Sequence, residues 1–295
     1  MTQLPTPVFA GMDIGSATVK LVVLDAEGTL LFSRYERHFS QVRATVARLA
    51  RSAWQALPDR RWVLTMTGSG AIALADTIGA PFAQEVMACG ECIRRRIPAC
   101  DVAIELGGED AKITFFTGGA EQRMNETCAG GTGAFIDHMA AMLHTDPAGL
   151  DALACNHNTL YPIASRCGVF AKTDILPLLN EGCAREDIAA SIFQAVVEQT
   201  VSGLACGREI RGKVAFLGGP LAFLRALRQR FVDALCLEEE NAVFPENAEF
   251  FVALGAAYIS LQRGDAGARE AGELLEALTR LEHARDDSLR HNLPP

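Results

Sequence analysis

Two cysteines sit where a thiol is well placed to do chemistry. Cys128 lies in Met124-Asn125-Glu126-Thr127-Cys128-Ala129-Gly130-Gly131-Thr132-Gly133, just ahead of an apolar, helix-like run over residues 134–143. Cys167 lies in Ser165-Arg166-Cys167-Gly168-Val169-Phe170-Ala171-Lys172, ahead of an amphipathic run through Leu179. The first N–H groups of a helix have no intrahelical partner and carry the positive end of its dipole. A cysteine facing that end is driven toward thiolate, the form that ligates metal or attacks electrophiles. Glycines beside it let the backbone approach whatever the sulfur holds. Alone, the first loop reads equally well as a glycine turn over a small buried cysteine; the second loop repeats the arrangement and shifts that balance. Two thiolates are half the set a cubane iron–sulfur cluster takes, and a symmetric dimer with the cluster on its two-fold axis supplies the rest.

A second kind of chemistry is written in glycine-bearing acidic turns between strands. Residues 8–12 read as a strand leading into Asp13-Ile14-Gly15-Ser16-Ala17-Thr18-Val19-Lys20; the next strand runs to Leu24 and a third covers 29–33. Backbone N–H groups in such a turn cradle phosphate, and Asp13 is placed to hold Mg²⁺ through water. Residues 101–106 form a buried-type strand that turns through Gly107-Gly108-Glu109-Asp110 into 111–116, echoing the first hairpin. Two such turns imply two lobes clamping one polyphosphate, with Glu105 and Asp110 as acids able to bind metal or orient an attacking water. The plainer role, turn capping and solvation, suits Asp110 better than Glu105. A strand over 213–217 ends in Gly218-Gly219-Pro220 before a helix over 221–231, a common way to seat a nucleotide. Taken singly, each of these signals is unspecific.

The elements that must position these groups follow from periodicity. Helices are expected over 42–57, 72–78 (closed by Gly79), 85–97, 187–207 (capped near Glu186-Asp187) and 250–261, with a strand over 62–67. Cys89 and Cys92 form a Cys-x-x-Cys on a helix without a second pair, so they read as helix-face residues rather than a zinc site. Cys100, Cys155, Cys183, Cys206 and Cys236 show no ligand spacing, and the six histidines are scattered, none paired at a metal-like spacing. The chain has 295 residues, 49% hydrophobic and 21% charged, enough for one large or two smaller domains. A net charge of −9, with Arg94-Arg95-Arg96 the only basic run, argues against nucleic acid as a partner. No apolar run is expected to be long enough to cross a membrane. Nine cysteines without disulfide-type spacing and no secretory signal at residues 1–7 imply a reducing, cytoplasmic setting. The segment from Gly264 reads as a charged helical tail or linker.

Taken in order, the motifs resemble a known family. Asp13-Ile14-Gly15-Ser16-x-Thr18-x-Lys20, Glu105-Leu106-Gly107-Gly108-Glu109-Asp110-x-Lys112 and Leu217-Gly218-Gly219 resemble the phosphate-1, phosphate-2 and adenosine motifs of the sugar kinase/heat-shock chaperone/actin superfamily. The two cysteine loops resemble those of one branch, the ATP-dependent activators of 2-hydroxyacyl-CoA dehydratases and the ATPase subunits of benzoyl-CoA reductase. The similarity covers about residues 8 to 262. It implies an α/β fold of two ribonuclease-H-like (actin-type) lobes with a nucleotide cleft between them: residues 1–120, residues 121–263, and the tail 264–295. It implies catalytic roles for Asp13, Glu105 and Asp110. Cofactor contacts, to ATP or ADP or to the cluster, are implied for Gly15, Ser16, Thr18, Lys20, Gly107, Gly108, Lys112, Gly130, Gly131, Thr132, Gly133, Gly218, Gly219 and Pro220. It implies Mg²⁺ at Asp13 through water, and one [4Fe–4S] cluster per homodimer on Cys128 and Cys167 of each chain. ATP turnover would drive one low-potential electron from that cluster into an iron–sulfur dehydratase or reductase, with reduced ferredoxin or flavodoxin as donor.

The chain departs from the small activators at Glu105 and Glu109, where they carry Asp and Gln. An extra methylene moves the first carboxylate, and the second acid adds negative charge near the phosphates. In this it resembles the first ATPase domain of long multidomain activase-like proteins. A small-molecule kinase of the same superfamily, or a non-catalytic nucleotide-dependent binding module, would use the same nucleotide motifs but leave both cysteine loops without a role.

Overall fold

In the computed structural model, residues 5–125, 130–165, 168–265 and 267–283 are described. Cys128 and Cys167 lie outside them. From the amino end the chain runs β1 (Pro7–Ile14), β2 (Thr18–Leu24), β3 (Leu30–Arg37), α1 (Val42–Ala56), β4 (Arg61–Thr67), α2 (Ile72–Ile78) and α3 (Glu85–Arg96). It continues through β5 (Val102–Leu106), β6 (Ala111–Phe115), β7 (Glu121–Met124), α4 (Gly133–Met142), α5 (Pro147–Ala154), α6 (Gly168–Asn180) and α7 (Arg185–Ala205). The last stretch is β8 (Val214–Leu217), α8 (Gly219–Phe223), α9 (Arg225–Leu235), β9 (Ala242–Val243), α10 (Phe251–Arg263), β10 (Arg269–Glu270) and α11 (Ala271–His283).

Every residue of β1 after Pro7 is buried, as befits a strand covered on both faces, and β1 sits at the centre of a sheet ordered β10-β4-β1-β2-β3. The second sheet, β7-β6-β5-β8-β9, repeats the plan: an antiparallel three-strand meander whose first strand pairs in parallel with a strand much later in the chain. Both β1–β2 and β5–β6 are therefore first hairpins of a meander, and their turns occupy the same topological position.

The chain divides into two compact units, Met1–Cys92 with Val252–Pro295, and Ile93–Phe251. This differs from the division expected near residue 120. The reason is β5, which pairs in parallel with β8 about a hundred residues later and carries the Glu105 turn into the second unit. The segment expected as a charged helical tail or linker holds α11, whose Leu274 and Leu278, spaced i,i+4, are 7% and 1% exposed and pack its apolar stripe on the first unit's core. In the first unit, α10 lies against β1 and is tied there by the Ser260 hydroxyl, which bonds Ala10 O at 2.9 Å and Thr65 Oγ1 at 2.8 Å.

In the second unit α7 is the core helix. By length and composition α7 is long and apolar enough to cross a membrane, which corrects the expectation that no such run exists; most of it is buried in the unit's core. The helix expected over 221–231 is broken at Leu224, whose extended backbone separates α8 from α9. Phe216 of β8 stacks on Phe244 with centroids 4.9 Å apart and meets Phe231 of α9 at 5.7 Å.

Candidate functional site

The two meander turns share one pattern: an acid and a lysine seven residues apart that face each other across the hairpin. Asp13 and Lys20 are register partners, as are Glu105 and Lys112. Lys20 Nζ lies 2.8 Å from Asp13 Oδ2, and the Asp13 side chain is only 5% exposed. A buried carboxylate persists only when paired, so β2 supplies the cation that β1 requires. Lys20 also lies 5.8 Å from the Tyr35 ring centroid. Gly68, at φ +99°, closes over this corner. A Cβ there would stand 2.3 Å from Ile14 O and 2.7 Å from Asp13 Oδ1, so only glycine fits. Neither Gly68 nor His38, which borders the same turn, lies in a local motif, so residue order alone does not single them out. The remaining first-turn candidates differ in exposure: Ser16 is exposed, Gly15 half-buried and Thr18 buried.

In the second turn Gly107 N–H donates to Asp110 O at 2.7 Å, and Lys112 Nζ lies 2.7 Å from Asp110 Oδ2. Lys112 is buried, Glu105 half-buried and Glu109 exposed. Asn125 receives the Ala111 N–H on its side-chain oxygen at 2.6 Å, fixing the strand that leads to the Cys128 loop. Gly218, at φ +88°, abuts the end of β5, where a Cβ would stand 2.1 Å from Leu106 O. Gly219 and Pro220 open α8 directly after it. The second turn and the Gly218 turn thus share one edge of the second sheet.

The start of α4 is docked on the second turn: Gly133 N–H donates to Gly107 O at 3.0 Å and Ala134 N–H to Gly108 O at 2.7 Å. This corrects one expectation, since the first two amides of that helix are engaged and do not stand unpaired before Cys128. Gly130, Gly131 and Thr132 are buried, and a Cβ on Gly131 (φ +80°) would crowd Thr200 Oγ1 at 3.2 Å. The approach to Cys167 is strapped by side chains. Asp187 accepts from the amides of Asn158 (2.7 Å) and Thr159 (3.0 Å), Ser191 Oγ from Tyr161 (2.8 Å), and Asp174 Oδ2 from Ala164 (2.7 Å). So Asp187, expected to cap its own helix, caps the neighbouring loop instead. Beyond Cys167, a Cβ on Gly168 would lie 3.8 Å from Phe135 Cδ2, so the start of α6 meets the first turn of α4. The starts of the two helices that follow the cysteines are thereby close to each other. Among the described residues no group of three or more His, Cys, Asp or Glu is arranged to hold a metal. Cys89 and Cys92 are buried in α3, and burial pushes the Cys100 thiol up to about 11.

The Thr159 and Asn158 amides, in that order, hold the Asp187 carboxyl below its usual 3.8. A depressed carboxyl contributes stability that is full above the unfolded value and is lost as pH falls through the folded one. Asp187→Asn is therefore expected to lower the urea midpoint at pH 7, with its deficit from the parent chain closing as both are taken below about pH 4. A deficit independent of pH would refute the strap.

The two repeated meander sheets fit the two-lobed α/β fold that activator ATPases share with sugar kinases. Within that fold, residues 10–260 match the BadF/BadG/BcrA/BcrD ATPase family, and the chain belongs to it. It is 30% identical over 178 residues to the 2-hydroxyisocaproyl-CoA dehydratase activator of Clostridioides difficile, covering 59% of this chain and 65% of that one. It is 30% identical over 168 residues to the (R)-2-hydroxyglutaryl-CoA dehydratase activating ATPase of Acidaminococcus fermentans, covering 56% and 63%. The chain thus spans just under two thirds of the length of these two curated relatives. The structure of the 2-hydroxyisocaproyl-CoA dehydratase activator from Clostridium difficile with bound ADPNP superposes with a TM-score of 0.75 over 95% of this chain and 98% of that one, at 24% identity.

Proposed function

We propose that this chain is an ATP-hydrolysing activase that delivers a low-potential electron to a partner 2-hydroxyacyl-CoA dehydratase or a related iron–sulfur reductase. The observation that carries the reading is the pair of acid–lysine turns, at equivalent places in two repeated sheets, within a member of this ATPase family. Asp13, buried and held by Lys20, is suited to orient the water shell of Mg²⁺, which would offset phosphate charge. The glycines at 68, 107 and 218 leave no room for side chains where backbone must come close, which fits turns that receive a nucleotide. Glu105 and Asp110 are the candidates for orienting the attacking water.

Cys128 and Cys167 would hold a [4Fe–4S] cluster jointly with the same pair from a second copy, and that group supplies a one-electron centre whose potential responds to exposure and nearby dipoles. The contact between the starts of α4 and α6 supports bringing the two cysteines together. Val169 and Phe170, just past Cys167, are 72% and 65% exposed, as an interface with a second copy requires. Reduced ferredoxin or flavodoxin is the donor, in a reducing cytoplasm, and the acidic chain engages neither nucleic acid nor membrane. Anaerobic purification with iron, acid-labile sulfide, solution mass and ATP turnover measured together tests this. About four irons per dimer and measurable ATP hydrolysis are expected. An iron-free monomer that hydrolyses ATP overturns the electron-transfer role and directs attention to small-molecule phosphoryl acceptors.

A further inference from the structure

The β1–β2 turn does not close as an ordinary hairpin. Gly15 N–H donates to Thr18 O at 3.0 Å, but among the described residues the return bond from Thr18 N–H to the Gly15 carbonyl is not made. That carbonyl lies 3.2 Å from His38 Nε2 instead. The His38 amide donates to Ala17 O at 3.1 Å, and Ser40 N–H donates to His38 Nδ1 at 3.1 Å. A ring nitrogen that accepts carries no hydrogen, so Nδ1 is bare and Nε2 holds the hydrogen given to Gly15. His38 is therefore neutral and buried, at the end of β3.

The backbone beyond it is strained to make this possible. Phe39 and Ser40 are consecutive non-glycine residues with φ of +45° and +64°. The Phe39 side chain is 77% exposed, so its burial does not offset that cost. What the conformation secures is the Ser40 amide against Nδ1, which fixes the tautomer.

In a trans peptide the C=O and N–H of one unit point in opposite directions. Holding the Gly15 carbonyl on His38 therefore aims the Ser16 N–H away from it, and holding the Ala17 carbonyl does the same for the Thr18 N–H. Among the described residues the Ser16 amide donates to no protein group, and Ser16 is exposed. Amides aimed together in a turn make an anion-binding concavity.

We propose that His38 is a positioning residue for this turn: its neutral ring rotates the Gly15–Ser16 peptide so that the Ser16 amide faces a nucleotide phosphate. The proposal rests on the ATP-hydrolysing reading above. It is tested on the full chain by calorimetry with a non-hydrolysable ATP analogue and with adenosine. His38→Gln keeps an amide nitrogen near the place of Nε2; His38→Asn keeps an acceptor near Nδ1 but not the donor to Gly15. His38→Asn and His38→Ala are expected to weaken the analogue about tenfold and His38→Gln by less than about threefold, with adenosine binding unchanged in all three. A purely structural role would weaken adenosine and analogue alike, so adenosine binding also measures how much of each variant is folded. Equal analogue affinity in His38→Gln and His38→Asn, or parallel loss of adenosine, overturns the proposal while leaving the ATPase reading intact. A parent chain that binds neither ligand overturns both.

Discussion

Replacing Cys128 or Cys167 by serine is expected to take the anaerobically purified protein from about four irons per dimer to background, with nucleotide affinity moving less than about threefold. In a symmetric dimer each substitution removes two of the four thiolates at once, which leaves too few ligands to retain a cubane. Nucleotide binding should survive because the segments on either side of the loops are held by other means. The start of α4 is fixed by its two bonds to Gly107 and Gly108, and the approach to Cys167 by Asp187, Ser191 and Asp174. The contrast with the other cysteines is part of the prediction. Cys155, Cys206 and Cys236 are exposed, and their serine variants should keep full iron. Cys100, with its thiol raised to about 11, stays protonated at neutral pH and is a poor ligand. Iron retained in the double variant would place the ligands elsewhere and remove the link between these loops and electron transfer.

Much of this arrangement can be read from residue order. Apolar runs bounded by Asp13-Ile14-Gly15 and by Gly107-Gly108 locate β1, β2, β5 and β6, and the shared spacing of Asp13 to Lys20 and Glu105 to Lys112 already places each acid opposite its lysine. Three kinds of feature are not legible. β7 (Glu-Gln-Arg-Met) is a polar edge strand with no apolar alternation, and only its pairing with β6 makes it a strand. The assignment of the Glu105 turn to the second unit depends on pairing with β8, which no local window contains. The partners of buried polar groups are likewise non-local: His38 reaches Gly15 across the meander, Asp187 reaches Asn158, and the first amides of α4 are taken by the Gly107-Gly108 turn. Local rules of helix capping assign Asp187 and the α4 amides to their own helices, and tertiary contacts reassign them.

The largest stability effect is expected at glycines that local propensity would count as a weakness. Gly11 sits in the middle of β1, where alanine is ordinarily the better residue. Here a Cβ would stand 2.0 Å from Ala253 O and 2.4 Å from Ala257 N, both backbone atoms of α10. Two residues along the same helix, a Cβ on Gly255 would stand 1.7 Å from Ala88 O in α3. So α10 lies in backbone contact with a strand on one side and a helix on the other, and no side chain can rotate to make room. Gly11→Ala and Gly255→Ala should each cost about 3 kcal/mol, the upper range of overpacking, which for a chain of this size lowers Tm by roughly 6–12 °C. Gly90 of α3 supplies the opposite case. Nothing lies within 4 Å of its Cβ position, so Gly90→Ala should stabilise by about 0.5–1 kcal/mol through helix propensity alone. Thermal and urea unfolding of the three full-length variants decides the matter. If Gly11→Ala melts with the parent chain, α10 can shift away from β1 without loss, and close backbone contact is not what holds the first unit together. If it melts early while Gly90→Ala melts late, the small residues along α10 are there to let that helix approach both neighbours.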